Sequence, residues 1–461
     1  MGETKDIFLE KSKIKVNDSK HRKTIAFNID KYNAAVINGK HQYAELEIAR
    51  KRAKNIKWKA IEELDKNLEN FEKKFSEHGG KVIWAEDAEE ALAAIAEICE
   101  RAKAKTIVKS KSMVTEEIHL NAFLEKMGIE SVETDLGEYI QQLDGEPPYH
   151  IVTPAMHKSK EDIATLFHEK LGTAPNLSPK ELTLIAREKL RSKFLTADVG
   201  ITGGNFIIAD SGAISITENE GNGRLTTSLP KIHIAIVGIE KVIPSLKDIA
   251  HFWPLLSTFG TGQKLTVYNT LFFGPRTTNE LDGPEEMYVI LLDNGRTNLL
   301  RSEVRESMYC IRCGSCLNAC PVYKNIGGHS YGTTYSGPIG AVITPHLTSM
   351  QENGHLSFAS SLCGNCTEVC PVKINIHEML LENRSIYVDE GHSEMKEKIG
   401  WKLFKAGVSY RPLMNLASSN IKNKVFDKLF APMWGDSREV PVFPKKSFAK
   451  LWKEHQKSSK D

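Results

Sequence analysis

The stretch from Cys310 to Pro321, CIRCGSCLNACP, constrains this chain more than any other. Four cysteines spaced x2, x2 and x3 and followed by proline match the C-x2-C-x2-C-x3-C-P run that holds iron–sulfur clusters. The irons of a cubane lie a few ångströms apart, so a tight loop must deliver thiolates every third residue and turn backbone N–H groups toward the sulfurs. Gly314 and Ser315 are small enough to permit that wrap. A shorter echo follows at Cys363, Cys366, Cys370 and Pro371, CGNCTEVCP. The register of the first run would place a further cysteine at position 360, where the chain has Ser360.

In two-cluster ferredoxins the fourth cysteine of each run ligates the other cluster. By that rule Cys310, Cys313, Cys316 and Cys370 form one complete set, a [4Fe-4S] site. Cys320, Cys363 and Cys366 form a set of three, which would hold a second [4Fe-4S] cluster with one other ligand, or a [3Fe-4S] cluster. Ser360, Ser361, water and a group from a partner are the candidates for the last ligand. Ser360 rests on register alone, and capping of the following helix is the favoured role for its hydroxyl. Zinc is the plain alternative for the whole constellation, but zinc pairs of C-x2-C normally stand well apart, and four cysteines with proline at this spacing favour iron–sulfur. Seven of the eight cysteines lie in the two runs, too tightly spaced for a secreted disulfide framework. Cys99 stands apart in EEALAAIAEICE, near one helical face with Leu92, Ile95 and Ile98, and is expected to be buried as a small apolar residue. Paired clusters with no sign of a second redox cofactor make an electron wire.

The length of 461 residues predicts two or three domains. A hydrophobic content of 41% and a charged content of 26% are those of a soluble globular protein, and no apolar run approaches the roughly 18 residues that span a bilayer. The N-terminus lacks the apolar core of a secretory signal, so a cytoplasmic location without a transmembrane segment is expected. The net charge of +2 hides basic ends: residues 1–60 hold 15 Lys and Arg against 7 Asp and Glu. These lysines alternate with acids and apolar residues and lack interleaved aromatics, so they read as solvated helix faces rather than a nucleic-acid surface.

Residues 1–75 read as helix, with Leu46, Trp58, Ile61, Leu64, Leu68 and Phe71 near helical spacing, a docking helix pair. From 76 to 296 the pattern changes to an α/β rhythm: strand KVIWA, helix DAEEALAAIAEICERAKA, strand KTIVKS, and helix TEEIHLNAFLEKMGI starting near Thr115 and capped by Gly128. Further strands are expected at Phe206–Ala209, Ala213–Thr217, His233–Val237, Leu265–Asn269 and Met287–Leu292. The glycines between 200 and 223 match no phosphate-binding fingerprint and read as turns and close packing, while Arg224, Thr226, Thr227 and Ser228 suit an anion. Residues 297–390 carry the cysteine runs, mostly helical, with an ordered loop around Tyr323, Tyr331 and Tyr335. Residues 391–461, punctuated by Pro412, Pro432, Pro441 and Pro444, read as a strap of short helices.

The segments KSKSMVTEEI, ETDLGEYIQQL, HIVTPAMHKS, FLTADVGITGGNFIIADSGAISITENEGN, DGPEEMYVILLDNGR, CIRCGSCLNACPVY, SSLCGNCTEVCPVKI and WGDSREVPVFPKKSF together resemble the lactate-utilisation iron–sulfur protein B family. The resemblance implies a LUD domain, related to the α/β folds of sugar-phosphate isomerases and CoA transferases, followed by a ferredoxin-type module with two [4Fe-4S] clusters. It divides the cysteines as above, with three in the second set. It implies an electron-carrying component of a three-protein system that oxidises L-lactate to pyruvate. The expected partners are a cysteine-rich protein, a second LUD protein and an unidentified electron acceptor. Two rival roles for the LUD domain accompany it: catalysis at Glu218 or Glu220, in the manner of a CoA-transferase glutamate, or a pure assembly scaffold.

Overall fold

The computed structural model describes residues 3–410, 418–429, 439 and 442–459. The chain divides into two compact units, residues 1–390 and 391–461.

The first unit is built on a six-stranded parallel sheet in the order β1, β10, β7, β4, β2, β3. Its strands are β1 (Lys81–Ala85), β2 (Thr106–Lys109), β3 (Glu130–Glu133), β4 (Val199–Thr202), β7 (Ile232–Gly238) and β10 (Glu286–Leu292). The sequences of β7 and β10, IHIAIVG and EMYVILL, are nearly continuous apolar runs, as a central strand covered on both faces requires. Successive side chains of β10 serve opposite faces. Met287, Val289 and Leu291 enter one core, and Tyr288, Ile290 and Leu292 enter the other with Ile95, Ile98 and Cys99. Cys99 is 1% exposed, as its place in the helical pattern predicted.

A second, four-stranded sheet runs β8, β5, β6, β9, formed by β5 (Phe206–Ile208), β6 (Ala213–Glu218), β8 (Val242–Ile243) and β9 (Tyr268–Phe272). Six of the seven strands expected from sequence lie where they were placed. The seventh, expected at Leu265–Asn269, begins three residues later, because β9 pairs antiparallel with β6 in the register Ile214 to Phe272. The helix expected from Thr115 starts earlier, with Ser112 as its N-cap, and breaks at His119, whose φ is +53°, into Met113–Glu117 and Leu120–Lys126. At Gly200 an added Cβ would lie 1.9 Å from the Thr226 carbonyl oxygen, so glycine there serves close packing.

The N-terminal segment forms four helices, Glu3–Asn17, Ser19–Lys40, Leu46–Glu62 and Leu64–Glu77. Ile61, Leu64, Leu68 and Phe71 are buried as the pattern predicted, but Trp58 is 52% exposed. In place of an isolated docking pair, these helices share one apolar core with β5 to β7 and with the cysteine runs. Within the second unit lie helices Met395–Ser409, Ser419–Leu429 and Phe448–Ser458, and the Ser419 hydroxyl donates to the Pro444 carbonyl at 2.7 Å. The expected strap falls partly on Pro412, Pro432 and Pro441, which lie outside the described residues.

Candidate iron–sulfur centre and the adjoining cavity

The two cysteine runs fold into loops of one design. Arg312 and Gly314 in the first have φ of +59° and +78°, and Leu362 and Gly364 in the second have +53° and +78°. Each loop leads into a short helix, Ser315–Ala319 or Asn365–Glu368, with a left-handed glycine at its N-cap. Glycine adopts that conformation without the penalty a Cβ would bring. The turn brings the backbone N–H groups of Arg312 and Ile374 onto the sulfurs of Cys310 and Cys370 at 3.4 and 3.3 Å.

Electrostatic neighbours of the thiols cross from one run to the other. The Cys370 thiol interacts electrostatically with Cys313 and Cys310, and Cys316 with Cys310, Cys313 and Cys370 and, more weakly, with Cys366. Cys320 interacts with Cys363 and, in the opposite sense, with Lys324, and Cys366 interacts with Cys320 and Cys363. Asn365 ties the second loop to the first by donating to the Ala319 carbonyl at 3.1 Å.

Burial pushes the Cys313 and Cys366 thiols up to about 11 and Cys370 up to about 12, and raises Cys316 and Cys320 as well. Only Cys363 is exposed, and the Asn365 N–H followed by the Ser361 hydroxyl lowers its thiol. Thiols this buried become thiolates only opposite strong positive charge, which iron would supply. The donor set therefore fits a metal–sulfur group.

Remote segments hold these loops. Arg50, from helix Leu46–Glu62, donates through Nε and Nη2 to the Cys370 carbonyl at 3.1 and 2.8 Å and through Nη2 to the Glu368 carbonyl at 2.7 Å. Lys54, one turn on, reaches the Lys373 carbonyl at 3.1 Å and Glu306 at 2.9 Å. Ser315 donates to the Phe259 carbonyl of helix Ile249–Thr261 at 2.5 Å.

Beside Cys310 lies a buried charge network that the sequence reading missed. Arg296, 1% exposed, pairs with Glu117 at 2.9 Å and Glu240 at 2.6 Å. Arg312 stands 3.5 Å from Glu240 and packs over the Tyr335 ring at 4.3 Å. Lys57 is buried and donates to the carbonyls of Glu240 and Val242 at 2.5 and 3.2 Å. Burial opposes ionisation of Glu240, but Arg296, Arg312 and Lys241 overcome it and hold the carboxyl well below its ordinary range. Burial lowers the Lys57 and Lys241 ammonium groups to about 7 and about 8 against the pull of Glu240. Two guanidinium cations, Arg296 and Arg312, thus face two carboxylates, Glu117 and Glu240, and Lys57 and Lys241 add positive charge only in their protonated forms. A cluster held by four thiolates carries net negative charge, which would favour those protonated forms. The one signal in the sequence was Glu240-Lys241 inside the apolar run IAIVGIEKVI.

A cavity of about 360 Å³ opens between the glycine-rich segment and the first loop, lined among others by Lys111, Glu218, Glu220, Lys241, Arg312 and Cys313. Both glutamates flagged from sequence line it. Glu218 accepts from the Gly223 and Arg224 N–H groups at 2.7 and 2.8 Å, and so caps helix Asn222–Ser228. Glu220 accepts from the Leu136 N–H at 3.0 Å. Burial of its carboxyl, then the charge of Asp135, pushes Glu220 up to about 7, although the residue as a whole sits exposed at the rim, where solvent screens it. Arg224, Thr226, Thr227 and Ser228 do not converge on an anion. The Thr227 and Ser228 hydroxyls donate back to the Gly223 and Arg224 carbonyls, and Arg224 lies over Tyr268.

Residues 68–292 match the LUD domain, and residues 306–374 match the 4Fe-4S dicluster domain. Lactate utilization protein B of Geobacillus sp. strain WCH70 is 46% identical over 87% of this chain and 87% of its own length. The proteins of that name from Geobacillus thermodenitrificans and Bacillus licheniformis are each 48% identical, over 84% and 80% of this chain and 81% and 78% of their own lengths. With a LUD domain joined to paired cysteine loops and this identity over most of its length, the chain belongs to the lactate utilization protein B family.

Proposed function

We propose that this protein carries electrons through two [4Fe-4S] clusters during oxidation of L-lactate to pyruvate. The observation that carries the reading is the interleaving of the cysteine loops beside the cavity. One set, Cys310, Cys313, Cys316 and Cys370, has Cys313 in the cavity wall, and the other, Cys320, Cys363 and Cys366, has Cys363 at the surface. Bound clusters would accept and pass single electrons, and burial in a rigid apolar surround keeps the reorganisation accompanying each transfer small. The chain's own residues fix the sulfurs, bury five of the seven cysteines, and set the Arg312, Lys57 and Lys241 side chains beside Cys310. Residues 1–75 act as a clamp, 76–296 as the cavity-bearing domain, 297–390 as the iron–sulfur segment and 391–461 as a tail. The location is the cytoplasm, consistent with the finding that no helix among the described residues is long and apolar enough to cross a membrane. The partners are a cysteine-rich protein and a second LUD protein of the same system, together with an electron acceptor.

A second reading has its own support. Glu220, pushed up to about 7, lies in the same cavity as Cys313, so the LUD domain would bind a small substrate within reach of the first cluster. Anaerobic purification with iron and acid-labile sulfide counts, and electron paramagnetic resonance before and after dithionite, tests the relay. About eight irons per chain are expected; fewer than about six with zinc present would overturn it. Unchanged lactate oxidation by the assembled system carrying Glu220→Gln, with clusters intact, would remove the second reading.

A further inference from the structure

The two cysteine loops repeat each other at an offset of fifty residues in backbone conformation and in hydrogen bonding. Leu317 and Asn318 donate to the Gly314 carbonyl at 3.0 and 3.2 Å, and Thr367 and Glu368 donate to the Gly364 carbonyl at the same two distances. The Cys320 N–H donates to Leu317 at 3.1 Å, and the Cys370 N–H to Thr367 at 3.2 Å. At the head of each loop the pattern extends to the side chain. The Arg312 N–H donates to Cys310 Sγ at 3.4 Å, and the Leu362 N–H donates to Ser360 Oγ at 3.1 Å. Ser360 Oγ therefore takes, in the second loop, the place that a ligand sulfur takes in the first.

The capping role favoured from sequence is not the one found. Helix Asn365–Glu368 has Gly364 at its N-cap and no side-chain cap bond. Ser361 is engaged elsewhere, because its hydroxyl bonds to the Cys363 thiol. The Ser360 loop is also fixed from behind: Arg384 donates through Nη2 to the Ser360 carbonyl at 3.0 Å and through Nε to the Ser357 carbonyl at 2.9 Å.

We propose that Ser360 is the fourth protein ligand of the second cluster, completing the set begun by Cys320, Cys363 and Cys366. As the iron–oxygen bond forms, the hydroxyl O–H breaks and its proton passes to solvent, so the site holds a four-iron cluster with three thiolates and one alkoxide. The same N–H that turns toward Oγ here turns toward sulfur in the first loop, and it stabilises the ligand's negative charge. The inference rests on the reading that the second set binds a cluster.

The test uses the full chain, reconstituted anaerobically, as wild type, Ser360→Ala, Ser360→Cys and Ser361→Ala. Wild type, S360C and S361A are expected to hold about eight irons. S360A is expected to lose one iron from the second cluster and to show the signal of an oxidised three-iron cluster, with the first cluster's spectrum unchanged. An S360A protein with the same iron content and spectrum as wild type would overturn the proposal, as would a wild-type chain that itself holds seven irons. Should S360A not fold, electron–nuclear double resonance of the wild type in oxygen-17-labelled water decides. No oxygen-17 coupling is expected, and coupling at the second cluster would make water the ligand and refute Ser360. Absence of any second cluster in the wild type is a separate result, which defeats the relay reading itself.

Discussion

Replacing Arg296 by methionine would expose how much the buried network beside the clusters contributes. The guanidinium, 1% exposed, is the common partner of Glu117 and Glu240, themselves 8% and 4% exposed. Breaking a buried pair by removing one partner costs about 3–5 kcal/mol, because the other charge is left uncompensated. Glu117 would retain hydrogen bonds from Asn294 at 2.6 Å and the Tyr335 hydroxyl at 2.5 Å, and Glu240 would retain Arg312, so the loss belongs near the lower end, about 3 kcal/mol. An unfolding entropy of about 2.1 cal/mol/K per residue gives the unit of residues 1–390 roughly 0.8 kcal/mol/K, and hence a fall in Tm of about 4 °C. The dependence on pH has a definite sign. In the wild type both carboxyls lie below the ordinary value of 4.5, so their contribution is present above that pH and is lost as pH falls through the folded values. Without Arg296, burial pushes both carboxyls up, and the variant loses stability as pH rises. The gap between the two proteins is therefore widest near neutrality, narrows toward pH 4.5 as the variant's penalty disappears, and closes only as pH falls further through the folded values of the wild type. Calorimetry of R296M and of the triple variant that also carries Glu117→Gln and Glu240→Gln measures it, the triple variant recovering much of the loss. A Tm change below about 1 °C, or a gap that widens on acidification, would refute the assigned role of the network.

The proposed division of the cysteines predicts which of them share a spectrum. Cys370→Ala should abolish the same resonance as Cys313→Ala, and Cys320→Ala the same one as Cys366→Ala; pairing by run would reverse these groupings. In the metal-free protein, iodoacetamide should modify Cys363 first, since it is exposed with a lowered thiol, and leave Cys99, buried and pushed up to about 11, untouched until unfolding. Peptide mass mapping over time reads the order. Lys109, fully buried between Glu133 at 2.6 Å and Glu116 at 2.9 Å, should cost about 3–5 kcal/mol in a urea titration when changed to methionine.

What could be read from sequence follows the range over which each feature is encoded. Ligand spacing is local, so the two cysteine loops and the correspondence of Ser360 with Cys310 were legible. The apolar runs of β7 and β10 were equally plain. Strand β3 was missed because its sequence, ESVE, looks like surface, whereas Glu133 is buried against Lys109 of β2. Strand β4, VGIT, is short and carries a glycine whose purpose is the approach to Thr226. The charge network was illegible for a different reason. Glu117, Glu240, Arg296 and Tyr335 come from four separate segments, and nothing near any of them in sequence announces the others.

That difference in range bears on how the site is built. The cysteine loops carry their own conformation in their glycines and short helices, but five of their sulfurs belong to one apolar core with Ile25 and Ile29 from the second helix, Phe71 from the fourth, and Met287 and Leu291 from the parallel sheet. Arg50 and Lys54 hold the second loop by its carbonyls, and Ser315 holds the first to helix Ile249–Thr261. The loops thus specify where ligands stand relative to one another, while the α/β domain and the N-terminal helices specify what surrounds them. Surroundings of this kind, through charge, burial and hydrogen bonds to sulfur, are what set the potential of an iron–sulfur cluster. A substitution in the LUD domain beside Cys310, such as at Lys241, should therefore alter the electron affinity of the first cluster without touching a ligand. One on the exposed side of Cys363 should leave that cluster unchanged.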